Sequence, residues 1–317
     1  MAPMIRTRPD VIVLGAGGTL GTVWLQGLLS GIHDTSGIDM RECDYFLGTS
    51  AGAIIAAALA AGHSPDEDLH APPAPDSSAV APADEEHPPA EEGSGRFRGV
   101  LRTAAGLTTA VTAPLAPLAL SVAAPGGAAV RRTLLAVGPK PKRRPPGLGG
   151  FLKTLDARFD GRLRIATVDR SSGRRVIFGE PGSPSASVAQ AVMASCAVPW
   201  MFAATRIGDR EYVDGGLWSP TNLDAAPARR GAEVLCLVPT GSPRLAKSPF
   251  GALRLATHAA LLAEMQVLRA RGARVRVVTP DETAGNVMGA NLMDGRRRDA
   301  TLAAARVQGR NLAGAGG

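Results

Sequence analysis

Residues 44–62 read Asp44-Tyr45-Phe46-Leu47-Gly48-Thr49-Ser50-Ala51-Gly52-Ala53-Ile54-Ile55-Ala56-Ala57-Ala58-Leu59-Ala60-Ala61-Gly62. The first four residues form a short, mostly apolar run that reads as a strand ending at Leu47. Ala51 to Ala61 is a small-residue helix closed by Gly62. Between them lies G-x-S-x-G, with glycines at 48 and 52 around Thr49 and Ser50. A serine on a sharp strand-to-helix turn sits on strained backbone with its hydroxyl pushed out of the sheet. Flanking glycines allow the close approach, and the helix N-terminus favours developing negative charge.

A similar unit precedes it. Val11 to Leu14 is a short β-branched run, Gly15-Ala16-Gly17-Gly18-Thr19-Leu20-Gly21 follows, and Val23 to Ile32 reads as a helix. Two strand–turn–helix units in succession open an α/β fold. The glycine loop has two functional readings. A dinucleotide-binding loop wants G-x-G-x-x-G, but Leu20 holds the third glycine position and no acidic residue closes a clear second strand. An oxyanion hole needs consecutive amides at a helix start aimed at one oxygen. A tight turn that needs small residues is the plain alternative.

Downstream, Leu163 to Val168 and Val176 to Phe178 read as paired strands, and Ser187 to Ala194 as a helix. Glu211 to Val213 is a strand leading into Asp214-Gly215-Gly216. Val234 to Val238 and Val275 to Val278 are further buried strands around a helical stretch from Leu253 to Arg271, and Arg296 to Leu312 closes the chain as a helix. A carboxylate at a strand end followed by two glycines is free to meet another group, although Asp-Gly-Gly is also an ordinary turn.

Between these halves the composition changes. Ser64 to Gly95 is rich in Pro, Ala, Asp and Glu with no Lys or Arg, and is expected to be disordered. Thr103 to Val130 carries no charge, but its prolines and glycines make an apolar lid or membrane-contacting insertion the better reading than a spanning helix. Lys140 to Arg144 is a basic, proline-punctuated connector: either a solvated linker or a contact for anionic lipid head groups. The domain plan is therefore 1–63 and 148–312 as two parts of one α/β domain, 64–147 as an insertion, and 313–317 as a disordered tail.

The 317 residues carry a net charge of +7, with 45% hydrophobic and only 4% aromatic residues. The basic balance favours anionic partners. No helix-turn-helix, zinc-finger or RNA-binding signature is present, so no nucleic-acid partner is expected. Cys43, Cys196 and Cys236 are widely spaced and odd in number, which fits a reducing compartment better than a disulfide framework. The N-terminal apolar run is short and reads as a strand rather than a signal segment. A cytoplasmic protein is expected, with peripheral membrane contact through 99–147. No C-x-x-C pair is present, so a zinc site is not expected.

Serine hydrolases usually take a histidine base. His70 and His87 fall in the acidic segment, His63 follows a helix C-cap, and His33 lies near a helix end. His258 is the one histidine that reads as buried, and it sits on a helix rather than a loop. A carboxylate base is therefore attractive. Cys196 reads as a small core residue. Trp200, Met201 and Phe202 read as core, or as lining for an apolar pocket.

The ordered set of glycine loop, G-x-S-x-G, the block Ala194 to Phe202 and Asp-Gly-Gly resembles the patatin-like phospholipase family over roughly 11–61 and 151–224, with a weaker echo to 294. The resemblance implies a three-layer α/β sandwich with a largely parallel sheet and helices on both faces. It implies a lipid acyl hydrolase in which Ser50 is the nucleophile, Asp214 its base, and the amides of Gly17, Gly18 and Ala51 the oxyanion hole. Ser50 Oγ should then lie within hydrogen-bond reach of Asp214. Two departures stand out. Leu20 occupies a position where the family usually carries Arg or Lys, and Ala16 replaces a frequent glycine. After Asp-Gly-Gly the chain runs Leu217-Trp218-Ser219-Pro220-Thr221-Asn222, so the family's usual asparagine is either displaced or matched by Asn222, and the resemblance implies no metal or organic cofactor. The competing readings are a noncatalytic lipid- or membrane-associated protein on the same scaffold and a dinucleotide-binding protein.

Overall fold

The protein is described from a computed structural model over residues 4–67, 127–241 and 251–314, with side chains in the last segment from His258 onward. Of the stretch Ser64 to Gly95 expected to be disordered, Ser64 to Glu67 form a turn in which Glu67 N donates to Ser64 O, and the rest, like most of the uncharged stretch Thr103 to Val130, lies outside the described residues.

Among the described residues eight strands form one mixed sheet: β1 Val11–Leu14, β2 Tyr45–Gly48, β3 Leu163–Asp169, β4 Arg175–Phe178, β5 Thr205–Ile207, β6 Arg210–Asp214, β7 Glu233–Leu237 and β8 Arg274–Val278. They are bonded in the order β5-β6-β3-β2-β1-β7-β8, with β4 also on β3. The run β3-β2-β1-β7-β8 is parallel, whereas β4 and β6 are antiparallel to β3. Strands on both sides of the insertion thus share one sheet.

Among the described residues the α-helices are α1 Gly18–Ser36, α2 Ala51–Ala60, α3 Ala128–Val137, α4 Leu148–Thr154, α5 Val188–Ser195, α6 Gly251–Ala270, α7 Glu282–Met288 and α8 Arg298–Gly314. Alternation along β1 assigns the faces. Ile12 and Leu14 pack with α1, α2, α5 and α8, while Val11 and Val13 pack with Leu268 and Leu261 of α6. The result is the three-layer α/β sandwich. Helices α1 and α8 approach closely because a side chain at Gly31 would strike the Arg306 carbonyl, and one at Gly309 the Leu28 carbonyl.

Three expectations are corrected. Regular structure is present from Ala128, inside the span 64–147 read as an insertion, because α3 packs on the β3–β4 turn: Arg131 Nε donates to the Gly173 carbonyl at 3.0 Å. Ala313 and Gly314 belong to α8 rather than to a tail, since Leu312 is buried and its carbonyl accepts from Ile5 N. His258 is exposed, because the face of α6 that packs on the sheet carries Leu261, Glu264 and Leu268 instead.

The site is set by how β2 and β6 meet β3. Main-chain groups of a strand alternate between its two edges. Arg162 O accepts from Phe46 N of β2, and Arg170 N donates to Glu211 O of β6, whereas Asp169, of opposite parity, bonds Arg174 beside β4. Strands β2 and β6 therefore lie on the same edge of β3 and run toward each other. Gly48 ends opposite Ile165, and Asp214 ends opposite Thr167.

Candidate active site

At the tip of β2 the chain turns through Thr49 and Ser50 into α2. Thr49 N donates to Leu14 O at 3.0 Å, which fastens the turn to β1. Ser50 has φ 52° and ψ −117°, a left-handed-side conformation that a non-glycine residue adopts only under structural constraint. Gly52 is required here, since a Cβ on it would overlap the Leu14 carbonyl. Ser50 N donates to Ser195 Oγ at 2.8 Å, and Ser195 Oγ donates to Ala166 O at 2.7 Å. Ser195 thus fills the gap between the two strand tips.

Asp214 closes β6, only 3% exposed, and Ser50 is 7% exposed. Desolvation drives the Asp214 carboxyl up to about 7, against opposing hydrogen bonds from the Ser50 side chain and the Gly216 amide. The Gly216 bond is 2.7 Å, to Oδ1. No histidine is among the groups that act on this carboxyl. His63 is engaged by Glu67 and the Leu155 carbonyl.

The glycine loop lies beside both residues. A Cβ on Gly216 would sit 3.6 Å from Ala16 Cβ, and one on Gly21 would sit 3.7 Å from Ala51 Cβ. Ala16 N is taken by Pro220 O and Leu20 N by Leu292 O. The amides of Gly17, Gly18 and Ala51, at the starts of α1 and α2, have no acceptor among the described residues. Free amides at two helix N-termini favour an oxyanion. Leu20 is wholly buried in the core, so its side chain faces away from this loop's polar surface.

Cys196 is buried beside the turn, its thiol donating to Ser50 O at 3.5 Å, and burial pushes that thiol well up, as suits a packing residue. Trp200, Met201 and Phe202 are not core. They form a half-buried turn between α5 and β5, with Trp200 at φ 66°. One possible metal-ligand cluster among the described residues, His33, Asp34 and Asp66, lies elsewhere, and its carboxylates are paired with Arg306 and Arg310.

Two positions carried no role in the sequence reading. Ser195 stood inside the block Ala194 to Phe202 with no feature to distinguish it. Glu264 is the polar member of an otherwise apolar buried stripe on α6, which is its only signal.

Residues 12–227 match the family model described as Patatin-like phospholipase. Among solved structures, the chain is similar to VipD from Legionella pneumophila, with 14% identity and a TM-score of 0.41 over 97% of this chain and 67% of that one. It is also similar to the ExoU–SpcU heterodimer of the type III secretion system of Pseudomonas aeruginosa, with 17% identity and a TM-score of 0.40 over 96% of this chain. A structure of the type III effector ExoU gives 15% identity and a TM-score of 0.35 over 96% of this chain. The chain spans about half, 52%, of the ExoU chains. No curated protein matches it.

Proposed function

The chain belongs to the patatin-like phospholipase family, and we propose that it hydrolyses carboxylic esters of lipids through Ser50 as nucleophile and Asp214 as base. Ser50 Oγ attacks the ester carbonyl carbon while Asp214 takes its proton. The resulting oxyanion is held by the amides of Gly17, Gly18 and Ala51. Collapse expels the alcohol, which leaves with the proton from Asp214, and an acyl-serine remains. Water then gives its proton to Asp214 and attacks the acyl carbon, and the fatty acid departs as Ser50 regains its proton.

The observation that carries this reading is that Ser50 and Asp214 lie buried at facing strand ends, with the Ser50 side chain among the groups that act on an Asp214 carboxyl pushed up by desolvation to about 7. A base with that value is half-ionised near neutrality and is well matched to proton transfer from serine. The test is p-nitrophenol release from short- and medium-chain esters by wild type, Ser50→Ala and Asp214→Asn. Loss of about a thousandfold or more in both variants is expected. Equal rates in all three would leave the noncatalytic scaffold as the better reading.

The substrate reaches the enzyme from a lipid surface, and the connector after α3 suits that contact. Residues 128–154 hold seven Lys and Arg and no acid. Lys140, Lys142, Arg143 and Arg144 are exposed and have no ion-pair partner among the described residues, and Val130 and Val137 beside them are 53% and 63% exposed. Arg143 Nε donates to Met201 O, and Ala203 N donates to Arg143 O, so the connector is fastened to the turn that follows Ala197. Ala197 O in turn accepts from Asp214 N at 3.1 Å. Among the described residues no helix is long and apolar enough to cross a membrane. Sedimentation with anionic vesicles that weakens when these four cations are changed to Glu, with soluble-ester rates kept, checks the contact.

A further inference from the structure

The polar residues buried behind the Ser50–Asp214 pair form a second, connected group. Asn222 is fully buried at φ 51°, in the left-handed region that asparagine adopts more readily than most residues with a side chain. Its Nδ2 lies 3.1 Å from Thr49 Oγ1, 3.3 Å from Gly215 O and 2.7 Å from Ser219 O. Thr49 immediately precedes Ser50, and Gly215 immediately follows Asp214. One amide therefore touches both turns that present the reacting side chains.

Asn222 is held there by its neighbours. Asn222 N and Thr221 N donate to Ser219 Oγ at 3.0 and 3.2 Å. From α6, Glu264 Oε2 accepts from Thr221 Oγ1 at 2.5 Å and from Leu223 N at 2.9 Å. From β4, Arg175 makes a two-pronged ion pair with Asp224 at 2.6 and 2.8 Å. Glu264 is a carboxylate inside an otherwise apolar helix face, where burial without a purpose for the acceptor is costly. Its two acceptor bonds go to the residues on either side of Asn222.

We propose that Glu264 is a positioning residue for the Ser50–Asp214 pair: it clamps Thr221 and Leu223 so that Asn222 ties the Thr49 turn to the Gly215 turn. The inference rests on the role given to Ser50 and Asp214 above. Glu264 touches no reacting atom. A small misplacement of a nucleophile and its base lowers the rate of the chemical step more than it lowers substrate binding.

The test compares wild type, Glu264→Ala, Glu264→Gln, Asn222→Ala and the double variant Glu264→Ala/Asn222→Ala on a p-nitrophenyl ester, with circular dichroism to verify folding. For folded Glu264→Ala, kcat should fall by about tenfold or more with KM within about twofold. Glu264→Gln should stay close to wild type, since one amide oxygen can still accept from both Thr221 and Leu223. The double variant should be no worse than Asn222→Ala alone, because both changes cut the same path. Unchanged kcat in Glu264→Ala, or losses that multiply in the double variant, overturns the proposal. Amide hydrogen exchange separates this from a failure of the Ser50–Asp214 reading, because it needs no activity. Glu264→Ala should raise exchange over 215–223 and also over 49–52. Exchange that rises at 215–223 but not at 49–52 overturns the link to the nucleophile turn whatever the activity shows.

Discussion

The Ser195 hydroxyl accepts the Ser50 backbone N–H at 2.8 Å and donates to Ala166 O at 2.7 Å, so a side chain from α5 bridges the gap where β2 and β6 meet. Removing it leaves a buried donor and a buried acceptor unpaired. Ser195→Ala should lose about 1–3 kcal/mol of stability. It should also lower kcat more than it raises KM. Urea unfolding and ester kinetics on one preparation check both, and a variant with wild-type stability would show that other groups or water replace the hydroxyl.

Asp214 fixes two pH dependences of opposite benefit. As the proposed base, its carboxyl must be ionised to take a proton, so kcat/KM should climb with pH and level off above about 7. Stability runs the other way. An unfolded aspartate titrates near 4, so between about 4 and about 7 the native state holds a proton that the unfolded chain has lost. Stability from this group is complete below the unfolded value and is lost as pH rises through about 7. Asp214→Asn should abolish the activity profile and flatten this part of the stability curve, measured by urea midpoints from pH 4 to 8.

Asp169 carries the opposite sign. Desolvation pushes its carboxyl up, but hydrogen bonds from Ser171 Oγ, the Arg210 guanidinium and the Ser171 and Ser172 amides pull it down to about 2. Its contribution is present above the unfolded value near 4 and fades as pH falls toward 2. Asp169→Asn should be less stable than wild type at pH 7, and the difference should shrink on acidification. A difference that is constant with pH would place the loss in packing rather than ionisation.

Two glycines separate crowding from flexibility. Gly52→Ala forces a methyl group onto the Leu14 carbonyl and should cost about 1–3 kcal/mol or more. Gly149, in α4, has open space around it and no left-handed backbone. Gly149→Ala should instead gain up to about 1 kcal/mol from the reduced freedom of the unfolded chain. Melting temperatures that move in opposite directions are the expected result.

Long-period features were legible in the sequence. The β2 turn and α2 lie where Asp44 to Gly62 placed them, and β1, β3, β4, β7 and β8 follow their apolar runs to within a residue or two. Strand β5 escaped notice because Thr205-Arg206-Ile207 is too short and too polar to show alternation. Helix α3 escaped because its stretch was read with the proline-rich insertion. The burial of His258 was misjudged because amphipathic spacing gives a helix two faces without saying which one the sheet will cover.

The sequence by itself determined the elements and the chemistry they carry: a serine in a glycine-flanked turn, an aspartate ending a strand, and a glycine loop at a helix start. Each is a local matter of steric freedom and apolar spacing. Only the tertiary structure decided that these meet. Ser50 and Asp214 come to facing strand ends because β2 and β6 run head to head along one edge of β3, in the register that sets Gly48 opposite Ile165 and Asp214 opposite Thr167. That register is held by backbone hydrogen bonds, which are the same for every residue, and by the burial of both faces, which depends on elements far apart in the chain. The roles of Ser195 and Glu264 stayed hidden for the same reason: a serine and a glutamate on helices acquire their partners only when those helices dock.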